Sequence, residues 1–105
     1  MINYNQNHNL SLDDFKSSNT GWMAQYLYNM YFVITSLNLW HKFIDDIPNK
    51  NEGYAYTELD WVHQIGDHPL IENDCHTGTT FAICMRNMEY IAKNGEQKYL
   101  TEIKN

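Results

Sequence analysis

Between Trp22 and Asp45 the chain carries apolar side chains on every side that a helix would present. Met23, Leu27, Met30, Ile34, Leu37, His41 and Ile44 fall at alternating steps of four and three, which makes one helical seam. Tyr28, Phe32, Leu39 and Phe43 form a second face, and Trp22, Tyr26, Val33 and Trp40 a third. A helix apolar all round is buried in its domain, crosses a membrane or sits at an oligomer interface. A span needs about twenty mostly apolar residues. The length fits, but Gln25, Asn29, Thr35, Ser36, Asn38, His41 and Lys42 interrupt the segment too often. The spacing therefore predicts one long central helix in a small all-α bundle. A bundle of this size leaves part of such a helix uncovered, and a second copy of the chain would cover it. A homo-oligomer, most simply a dimer, is the expectation.

The remaining elements are shorter. Residues 1–10 are polar and Asn-rich and read as a loose tail of a single domain spanning 1–105. Ser11 followed by Asp14 is a capping pattern, so a short helix is expected from there to Ser17–Asn19. Pro48 and Gly53 punctuate a loop. Thr57 and Asp60 repeat the capping pattern and predict a third helix through Leu59, Val62 and Ile65, closed by Gly66. A last helix starts near Thr79. Its stripe is Phe81, Cys84, Met85, Met88, Ile91 and Ala92, and Asn94-Gly95 ends it, with one more turn expected after that.

Charge excludes some functions. Thirteen acidic residues against seven basic ones give a net charge of −6, and Arg86 is the only arginine. Phosphate-backbone binding needs clustered cations, so non-specific nucleic-acid binding is not expected, nor is docking on anionic membranes. Cys75 and Cys84 do not have the spacing of a disulfide framework or a zinc knuckle, and Cys84 lies on the apolar stripe. The first residues lack the basic-then-apolar order of a signal peptide, so a cytoplasmic protein with reduced thiols is expected. Abundant Asn, Tyr, Ile and Lys with almost no Arg suit an AT-rich genome, common among phages and low-GC bacteria.

Chemistry concentrates between Gly66 and Thr80, where His68, Asp74 and His76 lie beside Thr77, Gly78, Thr79 and Thr80. A helix N-terminus offers free N–H groups and a partial positive charge. Gly78 would let a ligand approach the backbone, the threonines and His76 add donors, and Arg86 two turns on adds a guanidinium fork. An anionic, nucleotide-like ligand is the candidate here; a plain capped helix start is the simpler reading. Tyr54, Tyr56 and Trp61 are candidates for stacking on such a ligand or on a protein partner. A metal site built from His41, Asp45, His63 and His68 is the alternative. It lacks a recognised ligand spacing, and no metal or other cofactor is expected.

The run Asp74, His76, Thr77, Gly78 and Thr79 or Thr80 resembles the helix start of a group of small phage proteins. In these an acidic residue precedes Gly-His-Ser-Gly-x-Ser. Cys75 stands in place of that glycine, and threonines replace both serines. The resemblance covers roughly 72–93 and implies a phage-type source without an activity. The expected function is thus a small non-enzymatic binding protein that sequesters an anionic ligand or blocks a host protein. A pure protein–protein inhibitor and a metal-dependent phosphohydrolase using His41, His63 and His68 are the competing readings.

Overall fold

Ser11 starts the first helix in the way its spacing predicts. Its hydroxyl accepts from the Asp14 N–H at 3.2 Å, and the Asp14 carboxylate accepts from the Ser11 N–H at 3.0 Å. This reciprocal box opens α1 (Leu12–Ser18). The computed structural model describes residues 9–19, 21–50, 53–71 and 78–104. It continues with α2 (Gly21–Ser36), α3 (Trp40–Asp45), α4 (Val62–Gly66), α5 (Thr79–Asn94) and α6 (Glu96–Lys104). Short 3-10 turns at Ile47–Asn49 and Tyr56–Glu58 lie between α3 and α4. The fold is all-α, with no strand among the described residues.

The expected long helix is two helices. Asn38 adopts φ 57°, in the left-handed region. Its N–H donates to Thr35 O at 3.1 Å, and the Leu39 N–H donates to Ile34 O at 3.0 Å. These are the paired bonds of a Schellman stop, and Ile34 and Leu39, the two positions whose apolar side chains usually accompany it, are both buried. Asn tolerates the left-handed region better than other side-chain-bearing residues. The Trp40 indole N–H then donates to Thr35 Oγ1 at 2.9 Å across the break. The apolar faces of 22–45 are used in two directions as a result: α2 packs on α1, α5 and α4, while α3 packs on α5.

A second difference lies at 56–66. The Thr57–Asp60 capping pattern opens no helix; the 3-10 turn precedes an extended Leu59, and α4 begins only at Val62. Tyr56, Leu59, Trp61, Val62 and Ile65 are all buried. They would spread over more than half of a helix circumference, and breaking step at Leu59 lets all five reach the core. Gly66 is the last residue of α4, as expected.

Rings connect the core from end to end. Tyr99, Phe15, Tyr31, Trp40, Phe43 and Trp61 follow one another at centroid separations of 5.0–6.1 Å. At one end the Tyr31 hydroxyl accepts from the Leu10 N–H at 3.1 Å and donates to Glu96 Oε1 at 2.7 Å. Glu96 Oε2 accepts from the Asn9 N–H at 3.3 Å. Leu10 is buried, so it belongs to the core and not to the loose tail in which its polar surroundings place it; residues 1–8 lie outside the described residues. Gly95, at φ 95°, turns the chain from α5 into α6, which is longer than the single expected turn. Among the described residues no helix is long and apolar enough to cross a membrane.

Candidate functional site

The α5 helix divides its residues by face as the spacing predicts. Phe81, Cys84, Met85, Met88, Ile91 and Ala92 are buried, and Arg86, Glu89, Tyr90 and Lys93 lie on the outer side. Opposite them stand the two 3-10 turns. Pro48 lies in the first, and Lys50, whose N–H donates to Ile47 O at 3.0 Å, closes it. Tyr56 opens the second and is held in the core.

The two sides meet at Tyr56. Its ring lies under the Arg86 guanidinium, 5.4 Å from carbon to centroid, a cation–π arrangement. Its hydroxyl donates to the Glu89 carboxylate, and Lys93 Nζ donates to the other Glu89 oxygen at 2.8 Å. Tyr54 stands edge-on to Tyr56 at 5.2 Å. Burial, and then the bond to Glu89, push the Tyr56 pKa far up, so the phenol stays a donor across the physiological range. Burial also raises Tyr54.

These groups border a cleft of about 320 Å³ between Ile47, Pro48, Lys50 and Tyr54 on one wall and Arg86, Glu89 and Lys93 on the other. Three of the seven basic residues of an acidic chain thus face one space. Their pairing is uneven. Glu89 is engaged by Tyr56 and Lys93. Arg86 and Lys50 take no carboxylate partner among the described residues. A guanidinium seated on a ring, with no ion pair among the described residues, has donors with which it could meet an oxyanion. A larger groove of about 560 Å³ lies beside α3 and α4, but its charges are mixed: Asp46, Glu58 and Asp60 oppose Lys42 and Lys50, and Lys42 is 3.9 Å from Asp46.

The expected helix-start site is only partly in view. Asp74, His76 and Thr77 lie outside the described residues. Gly78 caps α5 with φ −92° and ψ −174°, extended backbone that any residue adopts, so its conformation does not demand glycine. Thr79 is exposed and Thr80 half-buried. His68 Nδ1 accepts from the Leu70 N–H at 3.1 Å in its own turn. The aromatic trio separates: Tyr54 and Tyr56 join Arg86, while Trp61 is buried with its ring edge-on to Phe43. His41 and His68 are half-buried, Asp45 and His63 exposed. No group of three His, Cys, Asp or Glu among the described residues is placed to hold a metal. Sequence reasoning missed Lys50, Glu89 and Lys93. The spacing of Arg86, Glu89 and Lys93 on one helix face was visible, but the approach of Lys50 is tertiary.

No family model matches this chain, and neither a curated protein nor a solved structure matches it.

Proposed function

We propose that this is a small non-enzymatic binding protein that takes an anionic group in the cleft beside Arg86. The observation that carries the reading is the only arginine of a −6 chain, seated on Tyr56 and without a carboxylate partner among the described residues. In a net acidic protein an anion needs a local positive site to overcome the overall repulsion. Lys50 and Lys93 reinforce that site, and a half-buried Tyr54 lines the same cleft. The anion site expected at the start of α5 moves, on this reading, about two turns along the same helix. The phage-type source suggested by the Asp74–Thr80 resemblance is compatible with such a sequestering or blocking protein. A second copy would cover Trp22 and Phe32 of α2, which are 63% and 48% exposed. Calorimetric titration with inorganic phosphate and a panel of mono-, di- and cyclic nucleotides tests the anion reading. Saturable binding of at least one anion is expected; no binding by any of them, and none by an acidic peptide, would overturn it.

A further inference from the structure

We infer that a second copy of this chain docks on α2 as an antiparallel helix pair about a two-fold axis, with Trp22 of each copy against the partner's Phe32 and Gln25 of each against the partner's Asn29. This rests on the reading above that a second copy covers Trp22 and Phe32, and it states how; the anion site is independent of it. The outer stripe of α2 is Trp22, Gln25, Asn29, Phe32 and Ser36, at alternating steps of three and four. That is the seam spacing of two paired helices. Trp22, Gln25, Phe32 and Ser36 are exposed and Asn29 is half-buried. The buried residues of the helix, Ala24, Leu27, Met30, Tyr31, Val33 and Ile34, lie on its other sides, where α1, α5 and α4 pack.

Charge selects the occupant. Two copies of a −6 chain repel each other, and the repulsion is least where the facing surfaces carry no charge. The 16 residues of α2 include no Asp, Glu, Lys or Arg. The other helices of more than two turns, α5 and α6, carry charges of both signs. A partner of different sequence finds no charge on this stripe to recognise, whereas a symmetric contact needs only a face that matches itself. The stripe does. In an antiparallel pair, Trp22 on the partner's Phe32 and Gln25 on the partner's Asn29 belong to one register, because both pairs are centred at the level of Leu27. Ring meets ring and amide meets amide. Within one copy Gln25 Nε2 donates to Asn29 Oδ1 at 2.9 Å. That leaves the Gln25 oxygen as acceptor and the Asn29 nitrogen as donor, the two groups that meet across the axis. Four amides then close a hydrogen-bonded ring between two aromatic pairs. An Asn in a helix seam lowers stability but fixes a single register.

The test is electron–electron dipolar spectroscopy on the full chain with a nitroxide attached at Ser36→Cys, in a Cys75→Ser background; Cys84 is buried. Light scattering on the same samples reports the oligomer. In this register Ser36 lies beyond the stretch where the two helices overlap, so its label stays out of the contact. At 1.5 Å per residue and with helix axes 8–10 Å apart, the labelled backbones are expected about 28 Å from each other. A dimer with the labels about 10 Å apart is parallel, and a dimer with neither distance uses another face. Either result overturns the inference and leaves a dimer standing. Asn29→Glu places two carboxylates near the axis and is expected to raise the dimer dissociation constant about tenfold or more, with helix content by circular dichroism unchanged. Dimerisation of Asn29→Glu at wild-type strength also overturns the inference. A wild-type monomer at micromolar concentration overturns both the inference and the dimer reading on which it rests, while phosphate calorimetry decides the anion site separately.

Discussion

The Arg86 guanidinium lies over the ring of Tyr56, whose hydroxyl donates to Glu89. One side chain thus seats the cation by its face and engages the nearest carboxylate by its tip. Glu89 stands about one turn from Arg86 on α5. Glu89 is engaged by Tyr56 and Lys93, and Arg86 makes no ion pair among the described residues.

Tyr56→Phe separates these two roles. The ring remains, and the donor to Glu89 is lost. Stability is expected to fall by about 1–2 kcal/mol, the value of a hydrogen bond to a charged acceptor that is part-buried. Freed in part, Glu89 can turn to Arg86, so anion affinity is expected to fall as well. Urea unfolding and calorimetry on the same samples measure both. Unchanged stability would mean that the Tyr56–Glu89 bond contributes nothing net.

Asn38→Ala is expected to cost about 1 kcal/mol, because a Cβ-bearing residue without the local bonding of Asn is disfavoured at φ 57°. Asn38→Gly is expected to be neutral or slightly stabilising. Thermal unfolding checks the pair. If alanine stabilises, the chain prefers the continuous helix that its apolar pattern suggests.

Alkaline pH is expected to unfold the protein through its buried phenols. Burial, helped by the bonds to Glu96 and Glu89, raises Tyr31 and Tyr56 far above the ordinary tyrosine value near 10. The folded state holds these protons where the unfolded chain releases them. The stabilisation is complete below pH 10 and is lost as pH rises above it, at up to about 1.4 kcal/mol per pH unit for each tyrosine. Melting curves between pH 8 and about 12, read with tyrosinate absorbance, follow the loss. Tyr31→Phe is expected to flatten the slope; an identical slope would remove Tyr31 from the account.

Light scattering at micromolar concentration is expected to show a dimer, with Trp22→Lys and Phe32→Lys together giving a monomer. Both residues are exposed on α2, so the double variant is expected to keep its helix content. A wild-type monomer would show that these rings are simply solvated.

Local signals were the legible ones. The Ser11–Asp14 box, the α5 stripe and the Gly95 stop depend on residues within a few positions of one another, and all formed. The break at Asn38 was hidden because the apolar residues on either side keep helical spacing through it, although Thr35, Ser36 and Asn38 are weak helix formers. Tyr31 binding Leu10 and Glu96 was invisible, since it joins residues 21 and 65 positions apart. The cleft was half legible: Arg86 and Tyr54–Tyr56 stood out by residue type, but their meeting with Lys50 is made by packing.

The most direct measurement compares anion binding by the wild-type chain, Arg86→Gln and Lys16→Gln in one calorimetric series at fixed ionic strength. Lys16 lies in the last turn of α1 and does not border the cleft, so it removes the same net charge elsewhere. Arg86→Gln is expected to weaken binding about tenfold or more, through loss of charge-assisted hydrogen bonds, while Lys16→Gln leaves it near the wild-type value. Equal losses from the two would reduce the cleft to a net-charge effect, and full affinity in Arg86→Gln would contradict the account outright.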